Sequence, residues 1–257
     1  MQRGTTLDDV RTALDRGELF LVYLPILTLN DQRCIGAEAL VRWRRGNVVL
    51  QPNDFLHVVH NTALSGRLTY WVIDTVAAEL GSWLADHPQV QISINVPAEI
   101  LGRGGLEYAA ARSGLSARVD QIVLEITEHG VPDQLGIDAL NAMAERGVRI
   151  ALDDVALSGV NLALLARCNF GIIKLDRRLI GQLAAGSPPP QWLVGLASLL
   201  RNTEIQVIAE GVESLHQASA LLAAGVQMAQ GYLFSAPLRA HELQSYYLNS
   251  NGLEPDG

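Results

Sequence analysis

The sequence FLVYLPILTLNDQRCIGAEALVRW, residues 20–43, consists of two apolar segments joined by a short polar turn. Segments 20–29 and 34–43 are rich in aliphatic and β-branched residues, which predicts two strands. Only a few residues around Asn30-Asp31 connect them. This link is too short for the crossover helix that parallel neighbours need, so the two strands are predicted to pair antiparallel.

Beyond this hairpin, short apolar segments alternate with longer stretches of helical period, as in βα units with parallel strands. The clearest helices are predicted over 63–87 and 134–147, the second ending at Gly147 as a C-terminal cap. Further strands are predicted at 91–96, 121–127, 149–153, 171–176, 205–211 and 228–234. About eight strands in this length favour the α/β class and a TIM-type (β/α)8 barrel, modified by its antiparallel first strand. An open doubly wound sheet is the alternative.

Composition and charge limit the class of protein. The chain has 257 residues, of which 49% are hydrophobic and 18% charged, which is typical of a globular protein with a substantial core. A net charge of -8 argues against a surface for large nucleic acids or anionic lipids. The N-terminus is acidic where a signal peptide would be basic, and no apolar run reaches bilayer length. Cys34 and Cys168 are expected to be buried free thiols. We therefore expect a cytoplasmic protein without a membrane segment.

Polar side chains stand near the carboxyl ends of the predicted strands. They are Glu38, Asn95, Glu125, Glu128, Asp153, Asp154, Lys174, Asp176, Glu210, Glu213 and Gln230. In a barrel of this type these strand ends meet at one face, where the chemistry of the fold is located. Each residue alone has a structural interpretation, such as a helix N-cap for Asp154 or a surface charge for Glu128. So many acids at one face, however, would require compensating positive charge.

The types of these side chains indicate divalent metal ions. Carboxylates with one amide, and no clustered His or Cys, suit Mg²⁺ or Mn²⁺ rather than zinc. The adjacent Asp153 and Asp154 can serve two ions about 3.5–4 Å apart, the arrangement of two-metal phosphodiester hydrolysis. Arg42, two residues beyond Leu40, is predicted to point into the same mouth and to bind a phosphate.

At these positions the chain resembles the EAL domain family, bacterial phosphodiesterases that open cyclic di-GMP to its linear dinucleotide. The segment Glu38-Ala39-Leu40-Val41-Arg42-Trp43 is similar to the motif from which the family takes its name. The other matching segments follow in order: Ser93–Asn95, Glu125–Glu128, Asp153-Asp154, Lys174–Asp176, Ala209–Glu213 and Gln230–Tyr232. The resemblance covers residues 8–245, leaves 246–257 as a flexible tail, and implies a modified TIM barrel with an antiparallel first strand.

The resemblance also implies roles for individual side chains. One Mg²⁺ or Mn²⁺ ion would be held by Glu38, Asn95, Glu125 and Asp153, and a second by Asp153, Asp154 and Glu210. Lys174 would orient the attacking water, and Glu210 or a neighbouring acid would accept its proton. The substrate, cyclic di-GMP, would contact Leu40, Arg42, Pro52 and Phe55. The supporting residues that hold the ligands in place would be Glu128, Asp176, Glu213 and Gln230.

Several positions depart from the family pattern. After the paired aspartates the family usually reads F-G-T-G-Y-S-S-L, whereas residues 155–162 here read VALSGVNL. Leu24 replaces a common Gln, and Thr69 replaces an acid, at positions that contact the nucleotide. The resemblance favours a cyclic di-GMP phosphodiesterase of weakened activity, with a homodimer or a regulatory protein as partner. The alternatives are a catalytically impaired EAL domain, acting as a cyclic di-GMP receptor or a protein-interaction module, and an unrelated metal-dependent barrel enzyme.

Overall fold

The elements of the fold are taken from a computed structural model, which describes residues 4–127, 132–155, 167–201 and 203–253. Its strands are β1 Leu19–Thr28, β2 Cys34–Arg45, β3 Val48–Leu50, β4 Gln91–Asn95, β5 Ile122–Thr127, β6 Arg149–Val155, β7 Ile172–Leu175, β8 Gln206–Ala209 and β9 Met228–Ala229. Its α-helices are α1 Leu7–Asp15, α2 Ala63–Asp86, α3 Gly105–Ser113, α4 Gln134–Glu145, α5 Arg177–Ile180, α6 Gln191–Leu200, α7 Leu215–Ala223 and α8 Ala240–Asn251.

The strands close into a barrel. Strands β2 and β4 to β9 follow one another around it in parallel, and β1 completes the ring by pairing antiparallel with both β2 and β9. Strand β3 pairs antiparallel with β2 outside the ring. The predicted α/β barrel with an antiparallel first strand is therefore confirmed. An open sheet is excluded because β1 bonds to strands on both sides.

Inward-facing side chains from successive strands fill the barrel in layers, as the alternation of strand residues requires. An apolar layer lies towards the amino-terminal end of the parallel strands. It consists of Ile26, Val123, Ala151, Ile172, Ile208 and Met228. Further towards that end, Arg149 donates hydrogen bonds to the side-chain oxygens of Gln91, at 2.7 Å, and Gln206. The apolar layer therefore separates this end from the carboxyl end of the barrel.

The longer helices begin where side chains satisfy their first amide groups. The Thr62 hydroxyl accepts from the Leu64 amide before α2, and the Asp133 carboxylate accepts from the Gly136 amide before α4. Helix α4 ends two residues before Gly147, whose φ of 92° suits the cap predicted there. Within the described ranges, no helix has the length and hydrophobicity needed to cross a membrane.

Two boundaries differ from the sequence-based prediction. A strand was predicted over 228–234, but β9 ends at Ala229. The chain turns there because Gly231, at φ 151°, lies against the Val212 backbone. The flexible tail was predicted to begin at residue 246, but helix α8 continues to Asn251. This prediction was wrong because Tyr247 is buried in the core. Both cysteines are buried free thiols, as expected.

Strands β2 and β4 approach closely at Gly36. A Cβ atom there would lie 2.0 Å from the carbonyl oxygen of Gln91, a backbone atom that cannot move without disturbing β4. We predict that Gly36→Ala lowers the free energy of unfolding by about 1–3 kcal/mol, measured by urea denaturation. The control is Gly81→Ala in α2, where nothing lies within 4 Å of the new methyl group. That variant should match or exceed wild-type stability. Wild-type stability in Gly36→Ala would contradict the close pairing.

Candidate functional site

Polar residues predicted at the strand ends meet at the carboxyl end of the barrel. Seven of them come from seven different strands or from the residue after a strand: Glu38, Asn95, Glu125, Asp153, Lys174, Glu210 and Gln230. They form one cluster connected by hydrogen bonds and ion pairs. Glu125 and Lys174 have no exposed surface. The barrel thus gathers residues that are far apart in sequence, as the strand-end pattern predicted.

Lys174 is the positive centre of the cluster. Its Nζ atom lies 2.6 Å from Glu210, 2.8 Å from Glu125, 3.1 Å from Glu38 and 3.3 Å from Asp153, measured to carboxylate oxygens. Burial would lower the pKa of Lys174, but the surrounding acids raise it well above its ordinary value. Lys174 is therefore an ammonium group. It supplies one positive charge to four acidic side chains, so the cluster is short of positive charge.

The shortage of positive charge agrees with the raised pKa values of three of the acids. Desolvation raises the pKa of Glu125 well above its ordinary value, and the negative charge of Glu38 raises it further. Desolvation also raises the pKa of Asp153, and it raises that of Glu210 to about 8, in both cases against the lowering effect of Lys174. Additional positive charge at the cluster would reverse these shifts, because it would favour the ionised carboxylates.

Two side-chain amides orient Glu38. Asn95 Nδ2 donates to Glu38 Oε1 at 2.9 Å, and Gln230 Nε2 donates to Glu38 Oε2 at 2.6 Å. Gln230 also donates to Glu210 at 3.3 Å, so it joins the two acids. Burial alone would raise the pKa of Glu38, but the Lys174 charge and these hydrogen bonds hold it below its ordinary value. Glu38 is therefore kept ionised and fixed in direction.

The carboxylate oxygens fall into two groups that could each hold a metal ion. Glu38, Glu125 and Asp153 offer one oxygen each, all within 4.8 Å of one another, and Asp153, Asp154 and Glu210 form a second such group. Asp153 belongs to both groups. Glu125 Oε1 is buried without a hydrogen-bond partner in the described part of the chain, an arrangement that costs stability unless a cation satisfies it. The donors are hard oxygens, which fit Mg²⁺ or Mn²⁺.

Asp154 is held in a strained conformation. Its φ of 54° lies in the left-handed region, which costs a non-glycine residue about 1–3 kcal/mol. Its amide donates to Asp153 Oδ1 at 2.8 Å, at the point where the pairing of β6 with β7 is irregular, so this bond fixes the two aspartates relative to each other. Asp176 forms a side-chain hydrogen bond with Asp154 and accepts hydrogen bonds from Arg178. The supporting role predicted for Asp176 is consistent with these contacts and stays a proposal.

Arg42 and Leu40 lie on the same face of β2 as Glu38. Residues two apart in a strand point to one face, so all three side chains face the barrel mouth. Arg42 is 8% exposed, and one guanidinium nitrogen donates to the Val41 carbonyl at 2.8 Å. No carboxylate of the described residues lies within 4.0 Å of this guanidinium. Desolvation lowers the pKa of Arg42, and the nearby charge of Glu38 opposes that effect. A largely buried cation without a carboxylate at ion-pair distance is suited to bind an anionic group.

Two residues predicted to contact substrate lie in the segment after β3. Phe55 is fully buried, and its ring packs edge-on against Trp43 with centroids 5.7 Å apart. The side chain exposes no surface in this structure, and the predicted contact between Phe55 and a ligand stays a prediction. Pro52 begins the short 3₁₀ turn Pro52–Asp54 and is half-buried, and its predicted contact stays untested. Thr69, placed by the resemblance near the nucleotide, is buried in α2 and donates to Ser65 O.

Two further residues, Glu213 and Glu128, were predicted to hold the metal ligands in place. Glu213 is exposed, and its amide donates to Gln217 Oε1 at the start of α7. No described hydrogen bond or ion pair joins the Glu213 side chain to the acid cluster, so its predicted support of the ligands is not seen. Glu128 and residues 156–162 lie outside the described residues. Tyr232 belongs to the segment Gln230–Tyr232 that matches the family, but it was given no role of its own from the sequence.

Comparison with known proteins identifies relatives of this chain. A sequence model of the EAL domain matches residues 7–237. An uncharacterised protein of Mycobacterium tuberculosis is 34% identical over 241 residues, covering 89% of this chain and 78% of that protein. The cyclic di-GMP phosphodiesterase NbdA of Pseudomonas aeruginosa is 31% identical over 247 residues, covering 93% of this chain and 31% of NbdA. The solved structure of the PaMucR phosphodiesterase in complex with c-di-GMP has a TM-score of 0.82 at 29% identity, covering 92% of this chain and 98% of that one.

Lys174 stabilises the folded state by neutralising the buried acids. We predict that Lys174→Met lowers the free energy of unfolding by about 3 kcal/mol or more, because removal of one partner leaves buried charges without compensation. Urea denaturation at neutral pH with a metal chelator present measures this change. The control, Arg67→Met, breaks an exposed ion pair with Asp15 and should cost about 0–1 kcal/mol. Equal stability of Lys174→Met and wild type would show that the acids do not depend on this ammonium.

Proposed function

Because the chain belongs to the EAL domain family, we propose that it is a metal-dependent phosphodiesterase that hydrolyses cyclic di-GMP to the linear dinucleotide. The observation that carries the proposal is the pair of carboxylate groups that share Asp153 at the carboxyl end of the barrel. The names of NbdA and PaMucR, which this chain resembles along most of its length, support the choice of reaction and substrate. This chain spans about a third of NbdA, so the proposal concerns the shared domain.

The proposed cofactors are two Mg²⁺ or Mn²⁺ ions. The first would be held by Glu38, Asn95, Glu125 and Asp153, and the second by Asp153, Asp154 and Glu210. The ions would supply positive charge to the phosphoryl oxygens and would lower the pKa of water at the site. This assignment follows from the oxygen donors, their spacing and the shortage of positive charge around Lys174.

The protein's own side chains then have separate roles. Arg42 binds the phosphate of the substrate, since its guanidinium lies at the mouth and no carboxylate of the described residues is at ion-pair distance from it. Lys174 contacts acids of both carboxylate groups, which places its ammonium to orient the attacking water. Glu210 has 18% of its side chain exposed, more than the other three acids around Lys174. It is therefore the acid to which water has the best access, and we assign it the acceptance of the proton.

Asp153 is the side chain on which both proposed ions depend. We predict that Asp153→Asn lowers kcat with cyclic di-GMP and Mn²⁺ by at least about a hundredfold, because the loss of the shared carboxylate weakens both cation sites. Chromatography of the linear dinucleotide measures the rate. The control is Asp8→Asn, which removes an exposed carboxylate of α1 and should leave the rate unchanged.

The same assay separates the enzyme from the alternative functions. An Asp153→Asn variant with the wild-type rate would contradict the shared-ligand assignment. Wild-type protein that binds cyclic di-GMP by calorimetry but forms no linear product would instead be a receptor. Protein that neither binds nor hydrolyses the nucleotide would favour a role as a protein-interaction module.

A further inference from the structure

Gln91, Arg149 and Gln206 form a polar cluster at the amino-terminal end of the barrel, away from the acid cluster. Each is the first residue of its strand, in β4, β6 and β8 respectively. These are alternate strands of the ring, whose inward side chains meet in one layer. The apolar layer separates the three side chains from the mouth, and all three are half-buried. The cluster therefore faces the amino-terminal end of the barrel.

The hydrogen bonds within this cluster use its acceptor atoms. Arg149 Nη1 donates to Gln91 Oε1 at 2.7 Å, and Arg149 Nη2 donates to Gln206 Oε1. An arginine side chain only donates hydrogen bonds, whereas a glutamine side chain offers one acceptor oxygen and an amino group that donates. Among the described residues, no acceptor bonds to Arg149 Nε or to the Nε2 atoms of the two glutamines. The polar groups that remain available are therefore all donors.

The positive charge of Arg149 is not balanced by a carboxylate of the described residues. Burial lowers the pKa of Arg149, and no acid among those residues opposes this effect. Lys174 differs, because four acids surround it and raise its pKa. The chain has a net charge of -8, so carboxylates are abundant, yet none is placed beside this guanidinium. A half-buried cation loses hydration, and a counter-ion compensates for that loss.

A cavity beside Arg149 leaves room for a ligand. It has a volume of about 460 Å³, lies between the end of α4 and the starts of β6 and β7, and is lined in part by Gly147, Arg149, Asn169 and Phe170. Sites for small molecules commonly have volumes of about 300–1,000 Å³. Glu145 also lines the cavity, but its side chain is exposed and forms no described ion pair with Arg149.

We propose that this cluster binds a small oxyanion, a phosphate group, at the end of the barrel opposite the acid cluster. Arg149 supplies the positive charge, and the amino groups of Gln91 and Gln206 donate to further oxygens of the ligand. The oxygens of a phosphate accept hydrogen bonds, which matches a cluster that offers only donors. The site is independent of the proposed phosphodiesterase, because it uses none of the residues at the mouth.

Gln91→Glu tests the site without removing a side chain, because it places a carboxylate against the guanidinium and so supplies the missing counter-charge from within the chain. Urea denaturation with a metal chelator measures stability while sodium phosphate replaces sodium chloride at constant ionic strength. Phosphate should raise the wild-type midpoint in a saturable manner, as expected for a ligand of the folded state. Gln91→Glu should lose this saturable rise and keep only the general stabilisation that phosphate gives to any protein.

Two further variants control for charge and for the mouth of the barrel. Gln191→Glu in α6 makes the same change of charge at an exposed position and should keep the saturable rise. Arg42→Met removes the cation at the mouth and should also keep it. Glycerol 3-phosphate in place of phosphate distinguishes the two sources of the ligand. An equal rise assigns the site to phosphate esters as well, and a rise with phosphate alone assigns it to the free ion.

Equal phosphate responses in wild type and Gln91→Glu would overturn this proposal, and so would a response that Arg42→Met abolishes. If Gln91→Glu does not fold, wild-type crystals soaked in selenate, a tetrahedral oxyanion with an anomalous signal, decide the matter. An anomalous peak beside Arg149 would support the site, and its absence there would overturn it. None of these results bears on turnover of cyclic di-GMP, so the proposed function is tested separately.

Discussion

The ion-pair cluster around Lys174 is the interaction on which the site depends. One buried ammonium lies within 3.3 Å of carboxylate oxygens contributed by β2, β5, β6 and the residue after β8. Buried charges of this kind are costly unless each finds a partner, so the cluster forms only where the barrel is closed and the strands are in register. The antiparallel β1 completes that closure. The pairing of β1 with β2 and β9 is thus a condition for the cluster, whose residues are spread along the chain from Glu38 to Gln230.

The two ends of the barrel differ in charge and in backbone strain. At the amino-terminal end, an apolar layer fills the interior, and the Arg149 guanidinium donates hydrogen bonds to the neutral side chains of Gln91 and Gln206. At the carboxyl end, acids outnumber the ammonium group, and Asp154 takes a strained conformation. Strain and unbalanced charge reduce stability and persist where binding of a ligand compensates for them. This division explains why a stable core and a negatively charged mouth coexist in one barrel.

Much of this arrangement could be predicted from sequence because it depends on local pattern. The short link between residues 29 and 34 dictates the antiparallel pairing, and alternation in the strands places Glu38 and Arg42 on one face. Features that depend on tertiary contacts could not be predicted. The burial of Phe55 is decided by its packing on Trp43. The end of β9 is decided by the approach of Gly231 to the Val212 backbone.

We propose that two groups of carboxylates share Asp153 and hold divalent cations side by side. Anomalous diffraction from crystals grown with Mn²⁺ tests this most directly, because it locates manganese independently of any activity. We predict two peaks, one bounded by Glu38, Glu125 and Asp153 and the other by Asp153, Asp154 and Glu210. Saturating Mn²⁺ that gives no peak at the carboxyl end of the barrel, or a single peak away from Asp153, would contradict it.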